Sequence, residues 1–372
     1  MSRLNEDKTI KIISNIEANK GEWCEFYTNI KIMSDGYVIK ADSNLNPDES
    51  TIYPVIAVLN KDKNDEVLRY EIQEKRQSIL LKKIDGSILA TFSTKDISVK
   101  AKQIFQKIID GTKTFKIPEA TRLAKELGII SLKEWNNKAD IKLEINNPYL
   151  GKIIEEGYSI KSKLDAESTL VNASKQTRFT YTVKELPVSI ISSINEISGS
   201  GKVIKRVLGI VENKGRFEFK NIESEVFTKN IKKVDSLLDQ ILAKMLLFTY
   251  THHCKKLKEI IEHKDFLRFL ATLDLDKDSC IYKVKRFLWA YALGMEPSTP
   301  WEGEDFVNGG LLWVKSDGSI LCHHIFERKE LESYLFNNTF FETASTSRHE
   351  FAKLVAEGDD TLFRLCLQIR FY

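Results

Sequence analysis

Two short runs of alternating polar and apolar residues, joined by a turn, set the strongest limit on how this chain can fold. Asp140-Ile141-Lys142-Leu143-Glu144-Ile145 alternates, Asn146-Asn147-Pro148-Tyr149-Leu150-Gly151 supplies turn formers, and Ile153 to Leu164 alternates again. Period-two patterning broken by Asn, Pro and Gly specifies a β-hairpin. Side chains on a strand alternate faces, so Ser159, Lys161 and Lys163 share one face while Tyr158, Ile160 and Ser162 share the other. This pattern allows Lys161 to stand across from Asp140. An acid and a lysine on neighbouring strands can hold a divalent metal against a phosphodiester and polarise the attacking water, which is nuclease chemistry.

The surrounding pattern gives a mixed α/β (α+β) chain. Between Gly21 and Met33, the residues Trp23, Phe26, Tyr27, Ile30 and Met33 fall at helical spacing, with Asp35-Gly36 as a stop. Glu22, Glu25 and Asn29 then lie on a neighbouring face of that helix. Strands are expected through Leu89, amphipathic helices over Val99–Ile109 and Pro118–Leu127, and a helix over Ser168–Lys175. Further on, Val234–Tyr250 and Phe266–Leu293 read as helical. The C-terminal part returns to strands at Leu311–Val314, Ser319–Phe326 and Leu362–Phe371, around a helix at Lys329–Phe336. With no repeat or Pro-rich linker, the expected division is residues 1–185 as a core carrying the metal site and 186–372 as a mixed helical and β region. The C-terminal half can also interleave with the core.

A chain of 372 residues can bury one large core or two modest ones. No segment approaches the roughly 18 uninterrupted apolar residues of a membrane span, and Met1 to Lys20 is charged throughout, unlike a signal peptide. A cytoplasmic protein without a membrane is expected. Five dispersed cysteines, Cys24, Cys254, Cys280, Cys322 and Cys366, suit reduced thiols. The net charge of +3 is too small to announce a nucleic-acid binder. Duplex DNA needs only a local positive surface, and Lys202, Lys205, Arg206, Lys214, Arg216 and Lys220, or Lys255, Lys256 and Lys258, are candidates beside the reading as solvated faces.

The spacing of Asp140 and Ser159-Ile160-Lys161 resembles the PD-(D/E)xK nuclease superfamily, with Ser159 standing where the second acid is usual. A wider likeness covers most of the chain. It begins at Asn19-Lys20-Gly21-Glu22-Trp23-Cys24-Glu25 and passes through Asp35-Gly36, Ala41 to Asn46 and Tyr53-Pro54. It continues at Lys138-Ala139-Asp140-Ile141, Gly157 to Ser162 and Ser168 to Ser174. It ends in Pro300-Trp301-Glu302-Gly303, Asn308-Gly309-Gly310, Glu342 to His349 and Leu367 to Phe371, with residues 60–130 and 185–290 carrying much less of it. On these segments the chain resembles the HpaII family of type II restriction endonucleases.

The resemblance implies a PD-(D/E)xK core and Mg²⁺-dependent cleavage of a short palindromic duplex site such as CCGG. Asp140 and a helix carboxylate, Glu25 or Glu22, would hold the metal, with Ser159 and Lys161 completing the catalytic set and Lys163 a competing lysine. The helix glutamates have another reading, as first-turn charges complementing the helix dipole. A palindromic target implies a homodimer, with sequential nicking by a monomer as the other route, and a cognate DNA methyltransferase as functional partner. Rival readings are a DNA-binding protein of the same fold without cleavage, which the missing acid at Ser159 favours, and a nonspecific nuclease.

Lys163, Asn172, Arg178, Arg348 and His349 are the candidates for contacting DNA, either as base readers or, more commonly for such residues, as phosphate contacts. His252-His253-Cys254 and Cys322-His323-His324 contain zinc-ligand types without paired spacing and read as core or surface. Gly199-Ser200-Gly201-Lys202 lacks the upstream Gly and following hydroxyl of a phosphate loop and reads as a plain loop.

Overall fold

The alternation at residues 141–162 becomes the centre of a mixed α/β structure. A computed structural model describes residues 17–62, 64–129, 139–164, 168–349 and 351–372. Most of the charged N-terminal stretch, residues 1–16, and Lys138 lie outside the described residues. Two compact units emerge: Met1–Ala166 with Phe306–Leu331, and Glu167–Asp305 with Glu332–Tyr372. The chain thus leaves the first unit and returns to it.

The first unit is built on a nine-stranded sheet. Its strands are β1 (Tyr37–Ala41), β2 (Pro47–Lys61), β3 (Val67–Gln73), β4 (Ser78–Lys83), β5 (Ile88–Ser93), β6 (Ile141–Asn147), β7 (Lys152–Ser162), β8 (Gly310–Val314) and β9 (Ile320–His324). Their spatial order is β1-β9-β8-β7-β6-β2-β3-β4-β5, with a further β1–β2 pairing. β2 is 15 residues long, so its first half pairs with β1 and its second with β6 and β3. Six strands therefore close on themselves. The hairpin β6–β7 is antiparallel with Ile141 opposite Tyr158, and β7 pairs in parallel with β8, placing Lys161 beside Trp313.

Helix α1 (Lys20–Asp35) starts on a capping box in which Asn19 receives the Glu22 amide and Glu22 receives the Asn19 amide. It stops at Gly36, whose φ of 77° suits a residue without Cβ. Its apolar stripe is buried with Tyr158 and Ile160 of β7 in one core, and Tyr27 donates its hydroxyl to the Gly318 carbonyl at 2.6 Å. Helices α2 (Thr94–Asp110) and α3 (Pro118–Leu127) contribute Ile97, Ile104, Ile108, Leu123 and Leu127 to that core.

In the second unit, Arg216–Ile222, Arg178–Lys184, Asp360–Cys366 and Leu354–Glu357 form a four-stranded antiparallel sheet. A smaller sheet joins Thr169–Val171, Ile369–Phe371 and Thr339–Phe341. The helix expected over Ser168–Lys175 is instead the strand Thr169–Val171 followed by a short 3₁₀ turn at Lys175–Thr177. Pairing with Ile369–Phe371 and a Ser174 capping box outweigh local helix preference there. The long helices Leu238–Thr251 and Lys277–Leu293 match their apolar patterns. The five cysteines are free thiols, and no helix among the described residues is long and apolar enough to cross a membrane.

Candidate active site

Asp140 sits one residue before β6, and its amide donates to the Tyr158 carbonyl at 2.8 Å, which anchors the head of this strand to β7. The Asp140 Oδ2 atom accepts the Ile160 amide at 2.6 Å and the Ser159 hydroxyl at 3.0 Å. Lys161 Nζ in turn donates to Ser159 Oγ at 2.8 Å. Acid, hydroxyl and ammonium thus form one chain on the β7 face foreseen by alternation. No hydrogen bond among the described residues engages the other Asp140 carboxylate oxygen, Oδ1, so this hard oxygen donor is available to a cation such as Mg²⁺.

Lys163 follows two residues on, on the same face. Its amide bonds to the Val314 carbonyl at 2.8 Å, and burial pulls its ammonium pKa below the usual lysine value. Beside this face, Trp313 Nε1 donates to His323 Nδ1 at 2.9 Å, so the proton of His323 resides on Nε2, which donates to the Asp42 carbonyl at 2.8 Å. Burial pushes the His323 pKa down to about 4.

The two helix glutamates are differently placed. Glu22 is occupied by the capping box. Glu25 is half-buried, next to Cys24, whose thiol reaches the Ser162 hydroxyl at 3.4 Å; this contact sets α1 against the Tyr158, Ile160 and Ser162 face of β7, opposite the face of Ser159 and Lys161. Asn29 Nδ2 donates to the Glu25 carbonyl at 3.0 Å.

Sequence reasoning did not foresee the polar group on the opposite face of β7. There the Glu156 carboxylate accepts from Tyr158 Oη at 2.6 Å, His324 Nε2 at 2.9 Å and, more weakly, Asn147 Nδ2 at 3.4 Å. His324 Nδ1 receives the Phe326 amide, which leaves the proton on Nε2, and the ring stacks on Tyr53 with centroids 5.2 Å apart. All of these residues except Phe326 are buried. Asn308-Gly309-Gly310 closes this region: Asn308 Oδ1 receives the Gly157 amide at 2.7 Å, and a Cβ at Gly309 would lie 2.5 Å from the Tyr158 ring. The Cys322-His323-His324 run is accordingly core, as its lack of paired spacing suggested.

Of the DNA-contact candidates, Lys163 lies in the first unit and the others fall in the second. Asn172 and Arg348 are exposed, and His349 is half-exposed at the end of the single turn Thr346–His349. Arg178 is different. It is 9% exposed, pairs with Glu223 at 3.4 Å and donates to the His349 carbonyl. Its guanidinium is thereby committed to holding the 345–349 segment. Of the basic run at 202–220, Arg206 is buried and bonds the carbonyls of Ala352, Asn195 and Ile197 at 2.7 Å each, while Arg216 and Lys220 pair with Glu185 and Asp360. Counting charges along the sequence could not separate these structural cations from a surface patch. Lys202 opens the helix Lys202–Glu212 after Gly201, so the glycine pair at 199–201 is a connection into that helix.

Comparison with known proteins gives the family. The model of the HpaII restriction endonuclease family matches residues 19–371. The chain is 34% identical over 364 residues to the type II restriction enzyme HpaII of Haemophilus parainfluenzae, covering 95% of this chain and 98% of that enzyme. No solved structure gives a significant match. With a family match running nearly end to end and a relative this similar over the same span, the chain belongs to the HpaII restriction endonuclease family.

Proposed function

We propose that this type II restriction endonuclease makes Mg²⁺-dependent double-strand cuts at a short palindromic site, CCGG, using a PD-(D/E)xK-type core in which Ser159 replaces the second acid. The observation that carries this reading is the hydrogen-bonded chain Asp140–Ser159–Lys161 on adjacent strands. Asp140 Oδ1 is the assigned metal ligand, and the Glu25 carboxylate, which would have to reach round from α1 on the other face of β7, is the helix residue assigned to complete the set; Glu22 is the weaker choice because its carboxylate already caps α1. Bound there, Mg²⁺ supplies a Lewis acid for the scissile phosphate and lowers the cost of forming hydroxide.

The side chains account for the remaining chemistry. Ser159 fixes one carboxylate oxygen of Asp140 while accepting a hydrogen bond from Lys161, which holds the ammonium at a defined point of the strand. Lys161 has two further N–H donors, enough to orient an attacking water and to offset charge on a phosphate oxygen during in-line displacement. Lys163 is the competing lysine, and its lowered pKa suits it to accept a proton if it takes that role.

Recognition is assigned to the second unit, with Asn172, Arg348 and His349 contacting DNA and Arg178 positioning the last two through the His349 carbonyl. The twofold symmetry of a palindrome makes a homodimer the matching assembly, and protection of host DNA requires a cognate methyltransferase in the same cytoplasm. Digestion of a sequenced plasmid with Mg²⁺, beside Asp140→Asn, tests the reading. Fragment ends sharing CCGG and lost in the variant are expected; random ends would overturn site specificity, and retained binding without cleavage would leave a DNA-binding protein.

A further inference from the structure

The second unit brings together three side chains that the cleavage chemistry does not use. His252 ends the helix Leu238–Thr251, His263 caps the helix Lys264–Thr272, and Asp265 lies in the first turn of that helix. Each offers one ligand atom, and these atoms all lie within 4.8 Å of one another. His252 Nε2 is 3.6 Å from Asp265 Oδ2, and His263 Nδ1 is 3.8 Å from the same oxygen. Tetrahedral coordination with bonds of about 2.0–2.1 Å sets its ligand atoms about 3.3 Å apart, so the two histidine–aspartate distances close by a few tenths of an ångström and the two imidazoles approach each other by at most about 1.5 Å.

The imidazole of His252 is also prepared for such a role. The Thr251 hydroxyl lies 2.8 Å from His252 Nδ1 and has the Leu247 and Phe248 carbonyls at 3.3 and 3.4 Å as other acceptors, so it can give its one hydrogen to a carbonyl and accept from the ring. In that tautomer, with the proton on Nδ1, Nε2 offers its lone pair to an ion shared with Asp265. The ring is held flat against Phe248, centroids 3.7 Å apart and planes within 3°. A ligating histidine whose second nitrogen is hydrogen-bonded is the usual outer-shell arrangement of a metal site. Asp265 Oδ1 is held by Arg268 at 2.7 Å, which leaves Oδ2 for coordination, and His263 Nδ1 would give up a 3.2 Å bond from the Asp265 amide.

We propose that His252, His263 and Asp265 bind a transition-metal dication, Zn²⁺ in first place, that fastens the end of one helix to the start of another within the second unit. Two imidazoles and one carboxylate suit zinc and its neighbours rather than Mg²⁺, which prefers oxygen donors, so the site is chemically distinct from that at Asp140. All three residues are partly exposed, which leaves the fourth position to water.

The test is a titration of the full-length protein with Zn²⁺ by calorimetry, in excess Mg²⁺ to occupy oxygen-rich sites, with Co²⁺ as a spectroscopic substitute. One ion per chain is expected, with intense visible Co²⁺ bands of a four-coordinate site. His252→Ala, His263→Ala and Asp265→Asn should each weaken binding by more than about tenfold, whereas exposed His253→Ala should not. Thr251→Ala, which removes only the anchor of the His252 ring, should weaken it by roughly tenfold and decides the matter if a ligand variant fails to fold. Wild-type affinity no higher than that of the ligand variants, or equal loss in His253→Ala, would overturn the proposal.

Discussion

On one face of β7 the Glu156 carboxylate is enclosed and takes donors from Tyr158, His324 and Asn147; on the other the Asp140 carboxylate is half-buried, with bonds from Ile160 and Ser159 to only one oxygen. The residue types overlap, but the degree of satisfaction does not. A buried carboxylate with its donors in place contributes to holding one arrangement, and loss of a donor leaves an unpaired charge in low dielectric. A carboxylate with an oxygen to spare can bind an ion without first breaking bonds. The same strand therefore carries a satisfied network on one face and, on the other, the group proposed for the chemistry.

Substitution on the Asp140 face is expected to abolish cleavage with little effect on folding. Asp140→Asn keeps the shape and one acceptor oxygen but removes the charge, and cleavage rates should fall by about a thousandfold or more while thermal unfolding moves by only a few degrees. Lys161→Ala should do the same. If Lys161→Ala cleaves normally and Lys163→Ala does not, the desolvated Lys163 is the working lysine and the chain through Ser159 is structural.

The Glu156 face should respond in the opposite sense. Removing one partner, as in His324→Ala, is expected to cost about 3–5 kcal/mol in denaturant unfolding, with cleavage per folded molecule changed only a few-fold. A large cleavage defect in a His324 variant of normal stability would erase the distinction between the two faces.

His323 tests the same contrast through pH. Its imidazole is neutral in the folded protein down to about pH 4, whereas in the unfolded chain it takes up a proton near 6.5. The unfolded state therefore binds more protons between these values, and stability rises with pH across that window. Its contribution, roughly 3 kcal/mol, should be complete above pH 7 and lost progressively as the pH falls toward 4. Urea unfolding at pH 7, 6 and 5 should show the decline, and His323→Asn, less stable throughout, should show a shallower one.

Local pattern in the sequence carried the hairpin, the position of α1 and its stop at Gly36, because period and capping are properties of neighbouring residues. The face shared by Ser159 and Lys161 was legible for the same reason. The chain fold around it was not. β8 and β9 join the sheet from residues 310–324, and His324 reaches Glu156 across 168 positions, a pairing that no local signal encodes. Arg178 stood among the DNA-contact candidates, and Arg206 in a basic run open to DNA or solvent, because charge in a sequence does not report burial; their carbonyl partners, His349 for one and Ala352 for the other, are remote along the chain. His252 lacked a recognisable metal spacing since its neighbours, His263 and Asp265, arrive from the next helix but one.

The smallest expected effect separates the two helix carboxylates. Glu22 closes a capping box at the exposed start of α1, so Glu22→Ala should cost only about 0.5–1 kcal/mol of stability and leave cleavage intact. Glu25 has no part in that cap and stands beside the Cys24–Ser162 contact with β7. Glu25→Gln should therefore lower the apparent affinity for Mg²⁺ in cleavage assays, recognisable as activity recovered at higher Mg²⁺ concentration, while its unfolding midpoint stays close to that of the parent. The reverse pattern, Mg²⁺ dependence moving with Glu22 and not with Glu25, would mean that the cap opens to deliver its carboxylate, and that the first turn of α1 belongs to the chemical network rather than to the structural one.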